Sequence, residues 1–550
     1  MSLARILLRP AARIAGMRAS RQARAFMDSH RHTRRVQESL LDRLIKAASD
    51  SEFGREHNFG RIRSYEDFAS AVPIGDYETH RRYVERVLSG QVDAMFAPGT
   101  KIRMFAVTSG TTGSPKHIPV TEQFLRDYRR GWNIFGIQML KDHPDGWLRK
   151  IITIGSSARE NTSPTGLPCG AISGLLVENQ QWVVRKMYPV SPQVNDIGDA
   201  SEKYYAIMRS SVAQDIGIII TPNPSTAVKL AQIARDNAER LIRDVRDGTI
   251  SISEAASIEA MNGLSFRPNR YAAKRLEEII QRHGQLLPKY FWNLSFMLMW
   301  TGGTVGLYLP SIRRYYGDAP IRDMGLLASE GRLSVPLADN SASGVAEITS
   351  NFFEFIPADQ IESAGPDVLG AHELSQGEEY FVLFSNWSGL WRYNIDDRIR
   401  VTGRFGDSPV FEFLSKGMHA CSITGEKITE HQVVRAMEAA SARAGAGIEQ
   451  FVLQGHFAET PYYELRIEAS DKVNIISLAQ DMDKALCGLN VEYDSKRRSG
   501  RLGPIRPVGV PAGAFAEQQA RQINHHRNRP EQYKHKFLMT EVVNAPPTWQ

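Results

Sequence analysis

Apolar residues recur at three- to four-residue spacing between positions 30 and 49, at Val36, Leu40, Leu41, Leu44 and Ile45, which predicts a helix with one buried face. The same rhythm predicts helices over 122–140 and 226–247, the latter with its charges on one face. Short β-branched runs at 150–154 and 216–220 read as buried strands, the second closed by Thr221-Pro222-Asn223-Pro224. Strands alternating with helices predict α/β architecture with mostly parallel sheets.

From about residue 345 the pattern shifts to short strands punctuated by turns, at 352–356, 380–384, 390–393, 399–402 and 410–414. This part is expected to be β-barrel-like. After about 424, strands at 450–453 and 462–468 alternate with a helix at 431–444, the pattern of a small α+β domain. The expected division is a large domain over 1–423 and a small, mobile, hinged domain over 424–550. A chain of 550 residues exceeds what one hydrophobic core serves, so a split is required on size alone.

Composition narrows the class only modestly. Hydrophobic residues at 42% and charged residues at 23% are ordinary for a globular enzyme, and a net charge of +6 is a small excess that does not argue for nucleic acid. The longest apolar candidate, 291–300, is too short to span a bilayer. Cys169, Cys421 and Cys487 are few and widely spaced, which suggests a reducing, cytoplasmic setting. The first 27 residues hold Arg5, Arg9, Arg13, Arg18, Arg21 and Arg24 and no acid. That composition suits a mitochondrial-type presequence or, the reading preferred here, an amphipathic helix lying on the protein's own surface.

The strongest chemical signal is Thr108-Ser109-Gly110-Thr111-Thr112-Gly113-Ser114-Pro115-Lys116, directly after the apolar run Met104-Phe105-Ala106-Val107. Gly110 and Gly113 free the backbone to turn several N–H groups toward one anion, the hydroxyls add donors, and Lys116 adds a mobile charge. The spacing is not that of a Walker A loop. It resembles the phosphate loop of the adenylate-forming superfamily of acyl-CoA synthetases, luciferases and peptide-synthetase adenylation domains. The resemblance implies ATP-dependent activation of a carboxylate as an acyl-adenylate.

Three more stretches carry candidate chemistry. In Thr301-Gly302-Gly303-Thr304, the glycines, Gly303 included, would let a flat purine lie against bare backbone. In Leu326-Leu327-Ala328-Ser329-Glu330, Glu330 is a candidate Mg²⁺ ligand, since that ion takes one or two carboxylates beside phosphate oxygens. In 389–399, Asp397 is placed to accept both ribose hydroxyls. Arg126, Arg129 and Arg130 follow the phosphate loop on one helix, and a solvated face is the plainer reading of each than a grip on a substrate carboxylate.

Trp391-Arg392-Tyr393 leading to Asp397, Asn351-Phe352-Phe353-Glu354-Phe355-Ile356-Pro357, Thr301 to Pro310, and Gln532-Tyr533-Lys534 together resemble the plant auxin-responsive acyl acid amido synthetases, the Gretchen Hagen family. That resemblance covers roughly residues 60 to 540. It implies an acid–amino acid ligase using ATP and Mg²⁺, whose partners are a carboxylic acid and an amino acid or other amine. By it, Ser109, Thr111, Thr112 and Lys116 contact phosphates, Thr108, Gly110 and Gly113 belong to the same ATP-binding loop, Ser329 and Glu330 sit by the α-phosphate and metal, and Asp397 binds ribose. Lys427 matches the hinge lysine and Lys534 the mobile carboxy-terminal lysine, and these two with Lys116 are the catalytic residues it implies. Two departures stand out: Leu326 replaces a tyrosine, and Asp396 replaces the glycine before the ribose-binding acid, where aspartate tolerates unusual φ less freely. An acyl-CoA synthetase and a non-catalytic nucleotide-binding homologue are the alternative readings.

Overall fold

The computed structural model describes residues 3–108, 115–154, 159–172, 174–175, 185–191, 194, 197, 199–252, 266–417, 420–445, 448, 451–468, 473–511, 513–515 and 537–544, with backbone alone for 3–15, 200, 304, 307 and 431. Two compact units emerge, the larger comprising 1–108 with 116–414 and the smaller beginning at Ser415.

In the larger unit, the strands Lys150–Thr153, Ile216–Ile220, Phe296–Leu298 and Ile321–Arg322 form an all-parallel sheet. Ile216 and Ile219 are wholly buried, which is why this strand reads as an unbroken apolar run rather than an alternating one. Parallel character is concentrated there. A second sheet is mixed: Ile102–Thr108 pairs antiparallel with Lys116–Thr121 and parallel with Pro168–Gly170. The stretch expected to be barrel-like is a seven-stranded sheet around Tyr393–Phe405, Glu379–Asn386 and Asn351–Pro357, the last two antiparallel in full register. Its inward aromatics Phe353, Phe355 and Phe384 join Leu40 and Leu44 of the helix Thr33–Ala48 in the main core.

Three elements differ from the pattern reading. The helix expected over 226–247 is two, Pro224–Asp236 and Ala238–Asp247. Asn237 separates them, its side-chain amide and its own N–H both donating to the Ile233 carbonyl, so its short polar side chain competes for the backbone. Residues 390–392 lie outside the strand, which begins at Tyr393 after a turn at 387–388. A strand, Lys116–Thr121, stands between the phosphate loop and the helix Glu122–Asp142.

The helix Leu3–Ser29 buries Ala23 and Phe26 against Ile134, Phe135 and Ile137 of Glu122–Asp142. Its carboxy-terminal half is therefore part of this unit's core. His30, just beyond it, is wholly buried, with Nδ1 2.8 Å from the Ser408 hydroxyl.

The smaller unit has a four-stranded mixed sheet. Phe451–Phe457 and Tyr462–Glu468 pair antiparallel at its centre, flanked in parallel by Leu538–Asn544 and Arg506–Val510. The helices Glu430–Ala444 and Ile475–Leu489 bury Val433, Met437, Leu478 and Met482 with Leu453 and Tyr463 of the sheet. All three cysteines are free. Among the described residues no helix is long and apolar enough to cross a membrane.

Candidate active site

The phosphate loop is the connection of a β-hairpin. Thr108 faces Lys116 in antiparallel register, so ladder pairing fixes where the loop leaves and returns. Ser109, Gly110, Thr111, Thr112 and Gly113 lie outside the described residues. Lys116 sits with Nζ 5.6 Å from the ring centre of Tyr77, a cation–π distance. The Tyr77 hydroxyl accepts the His117 N–H at 2.8 Å, bracing the returning strand.

Ser329 and Glu330 occupy the two-residue turn of a second, tiny hairpin, with Ala328 facing Gly331 and Leu327 facing Arg332. Asn386 donates its side-chain amide to the Glu330 carbonyl at 2.8 Å and to Asn351 Oδ1 at 3.0 Å. Asn351 in turn donates to the Arg332 carbonyl at 2.8 Å. Gly331 belongs here because a Cβ would lie 2.9 Å from Asn351 Oδ1. Leu326 enters the hairpin by donating its N–H to Ser334 Oγ at 2.8 Å.

The Trp-Arg-Tyr triplet divides its labour. Trp391 packs edge-on to Phe59 in the core. Arg392, buried and at φ 43°, pairs through Nη2 with Glu354 at 2.8 Å and donates through Nη1 to the Ala69 and Val72 carbonyls, each at 3.0 Å. Tyr393 is buried edge-on to the rings of His80 and Phe384. Its hydroxyl is held well above the ordinary tyrosine range, by burial first and then by the carboxylates of Glu330 and Asp397. One phenol therefore stands in the field of both acids singled out from sequence.

Asp396 adopts φ 64°, in the left-handed region. Aspartate is among the non-glycine residues that enter this region, and within the strand Tyr393–Phe405 the Asp396 N–H donates to Asn394 Oδ1 at 2.8 Å. Asp397 follows, buried to 5% exposure.

Around Thr301 the glycines have a packing reason of their own. A Cβ on Gly302 would lie 3.2 Å from the Phe413 carbonyl oxygen, and one on Gly303, at φ 59°, 3.0 Å from that of Leu414. Thr301 is anchored through its N–H and hydroxyl to Asp323 Oδ2, at 2.6 and 2.8 Å.

Residues 75–80 tie these parts together and drew no notice in the sequence. Gly75 bridges to Tyr393 and exchanges main-chain hydrogen bonds with Arg392 and Asn394. Asp76 caps the helix Tyr77–Leu88. His80 donates from Nδ1 to the Asp76 carbonyl at 2.9 Å and accepts the Trp391 N–H at Nε2 at 3.1 Å, partners that require the neutral tautomer. The helix-start signal at Asp76 was readable, but the partners lie more than 300 positions away and were not.

In the smaller unit, Lys427 is exposed at φ 49°. The turn presenting it is organised by Glu426, whose buried carboxylate accepts from Ile423 N–H at 2.8 Å, Thr424 N–H and hydroxyl at 2.7 Å each, and the Tyr463 hydroxyl. Lys534 lies outside the described residues.

Residues 22–321 match the GH3 family N-terminal domain, 344–416 its central domain and 431–542 its C-terminal domain. The chain belongs to the GH3 family. Similar proteins include jasmonoyl–L-amino acid synthetase JAR6 of Nicotiana attenuata, 23% identical over 89% of this chain and 88% of that protein. Indole-3-acetic acid-amido synthetase GH3.3 of Arabidopsis thaliana is 22% identical over 88% and 85%. The solved GH3.15 acyl acid amido synthetase superposes with a TM-score of 0.65 at 20% identity, covering 94% of each chain.

Proposed function

We propose that this chain is an ATP-dependent acyl acid amido synthetase, joining a carboxylic acid to an amino acid or other amine through an acyl-adenylate, in the cytoplasm. The observation that carries the reading is that residues 22–321, 344–416 and 431–542 match the N-terminal, central and C-terminal GH3 domains in order. Jasmonoyl- and indole-3-acetic acid-conjugating relatives set the reaction type.

A carboxylate does not acylate an amine at neutral pH because its oxygen is a poor leaving group. Attack of the acid on the α-phosphorus of ATP exchanges it for AMP, and pyrophosphate leaves. Negative charge gathers on the phosphoryl oxygens, where positioned donors and cations lower the barrier. In this reading the loop from Thr108 to Lys116 grips the phosphates, Ser329 lies by the α-phosphate, Gly303 borders the base and Asp397 holds the ribose hydroxyls. Glu330 suits Mg²⁺: the residue is 6% exposed and its carboxylate forms no ion pair among the described residues. Bound there, the ion would supply charge neutralisation on the phosphates. Closure of the hinged domain over 424–550 would bring Lys427 and Lys534 to the nucleotide.

The test offers purified protein ATP, Mg²⁺, a panel of carboxylic acids, and either amino acids or CoA, reading pyrophosphate and product mass. Acid-dependent pyrophosphate with an amide product is the expected result. A thioester product would make it an acyl-CoA synthetase, and binding of ATP with no pyrophosphate from any acid would end the enzymatic reading.

A further inference from the structure

A cavity of about 350 Å³ lies at the far end of the phosphate hairpin from its loop, a volume suited to a small organic ligand. It opens beside Thr121, five residues along the strand from Lys116, which at strand spacing is about 16 Å from the phosphate end. Its floor is apolar and partly aromatic, from Leu44, Phe96, Trp387 and Trp391. Lys101 and Arg126 stand at its exposed rim, and neither forms an ion pair among the described residues. The rim's one acid, Glu122, is already matched by Arg103 at 3.1 Å. The Glu122 carboxyl is held low by Arg103 first, with Arg126 and Lys101 contributing, so the cavity's lining carries a net excess of positive charge.

The wall is connected to the active site. Trp387 accepts the Thr121 hydroxyl at its carbonyl at 2.9 Å, and its neighbour Asn386 holds the Glu330 carbonyl. Gly389, at φ 79°, completes the turn where a Cβ would lie 2.9 Å from the Phe96 ring.

An apolar, ring-lined floor beside two cations that form no ion pair among the described residues is complementary to a flat hydrophobic body carrying one negative group. We propose that this cavity is a second binding site for a small aromatic carboxylate, separate from the nucleotide site, with the ring on Trp387 and Phe96 and the carboxylate between Lys101 and Arg126. The proposal does not rest on the reaction assigned above. Free acids and their amino-acid amides share this chemistry, and the test separates them.

The full chain is titrated with 2-naphthoate, with its neutral amide 2-naphthamide, and with N-(2-naphthoyl)glycine, following heat and tryptophan fluorescence. The expected result is naphthoate or its glycine amide binding at least tenfold more tightly than naphthamide, the tighter of the two naming the source. The Lys101→Glu/Arg126→Glu variant weakens that binding at least tenfold. So does Ala47→Trp, which fills the cavity from an exposed helix position without disturbing the fold. Equal binding of acid and naphthamide, binding unchanged in both variants, or no binding at all overturns the proposal. Because pyrophosphate release is read separately, that failure leaves the ligase reading standing or falling by itself.

Discussion

Asn386 and Glu330, 56 positions apart, are joined by one hydrogen bond from the asparagine amide to the glutamate main-chain carbonyl at 2.8 Å. The same amide satisfies Asn351 Oδ1, and its own Oδ1 accepts the Ser388 N–H at 3.0 Å and the Ser388 hydroxyl at 2.6 Å. All four groups are buried, so removing the amide strands partners that water does not reach. Asn386→Ala is expected to cost about 1–3 kcal/mol of stability. Pyrophosphate release should fall even well below the melting transition, because the Glu330 turn loses its support. Melting curves paired with the release assay check this; full activity in a destabilised variant would show that Glu330 needs no such support.

The ribose assignment is tested at two adjacent positions. Asp397→Ala should weaken nucleotide binding by about 1.5–3 kcal/mol, roughly tenfold to a hundredfold in Kd. Asp396→Gly should bind nucleotide as the parent does, since glycine enters φ 64° freely, and should change stability by less than about 1 kcal/mol. Asp396→Val should lose both, as a β-branched residue is strained there. Calorimetric titration with ATP reads all three. Parental affinity in Asp397→Ala would move the ribose elsewhere.

His30 links stability to pH. Burial lowers its imidazole from 6.5 to about 4. The unfolded chain therefore binds the proton more readily, and the stability this group contributes is complete above about pH 6.5. It is lost as pH falls toward 4, by about 3 kcal/mol in total. Urea unfolding of the parent across this window should show stability rising with pH, and His30→Asn should remove up to one proton from the slope. Identical slopes would mean the imidazole is protonated in the folded state.

Glu426 and its neighbour Lys427 separate folding from chemistry. Glu426→Leu strands two N–H groups and two hydroxyls in the smaller unit and should cost about 2–4 kcal/mol. Lys427→Ala should leave the melt unchanged while slowing the overall reaction. Lys534→Ala should slow acyl-adenylate formation and spare amide formation from supplied adenylate. Pyrophosphate exchange at the parental rate in Lys534→Ala would show that lysine to be misplaced.

What the sequence made legible was local. The helix at Thr33–Ala48 and the strand at Ile216–Ile220 follow from spacing, since burial on one face or both imposes the pattern. The strand Lys116–Thr121 escaped notice because Pro119 ordinarily argues against a strand interior. It is tolerated here because this is an edge strand, where a missing N–H need not break the ladder. Glu330 and Asp397 stand out as motif members, whereas Tyr393, whose hydroxyl burial and both carboxylates hold above the ordinary range, reads in the sequence only as part of a triplet. Arg392 with Glu354, and His80 with Trp391, are partnerships across 38 and 311 positions. No periodicity encodes them; only the folded sheet brings them together.

The register of Thr108 against Lys116 has a consequence for how such a loop can change. Main-chain pairing holds the two ends about 5 Å apart, independently of the hydroxyls and glycines strung between them. Residues in the span are therefore free to be exchanged, one by one, for donors of other shape while the gateway keeps its width. Lengthening the span would leave the gateway as it is, whereas shifting the pairing by a single position would turn Lys116 to the opposite side of the sheet.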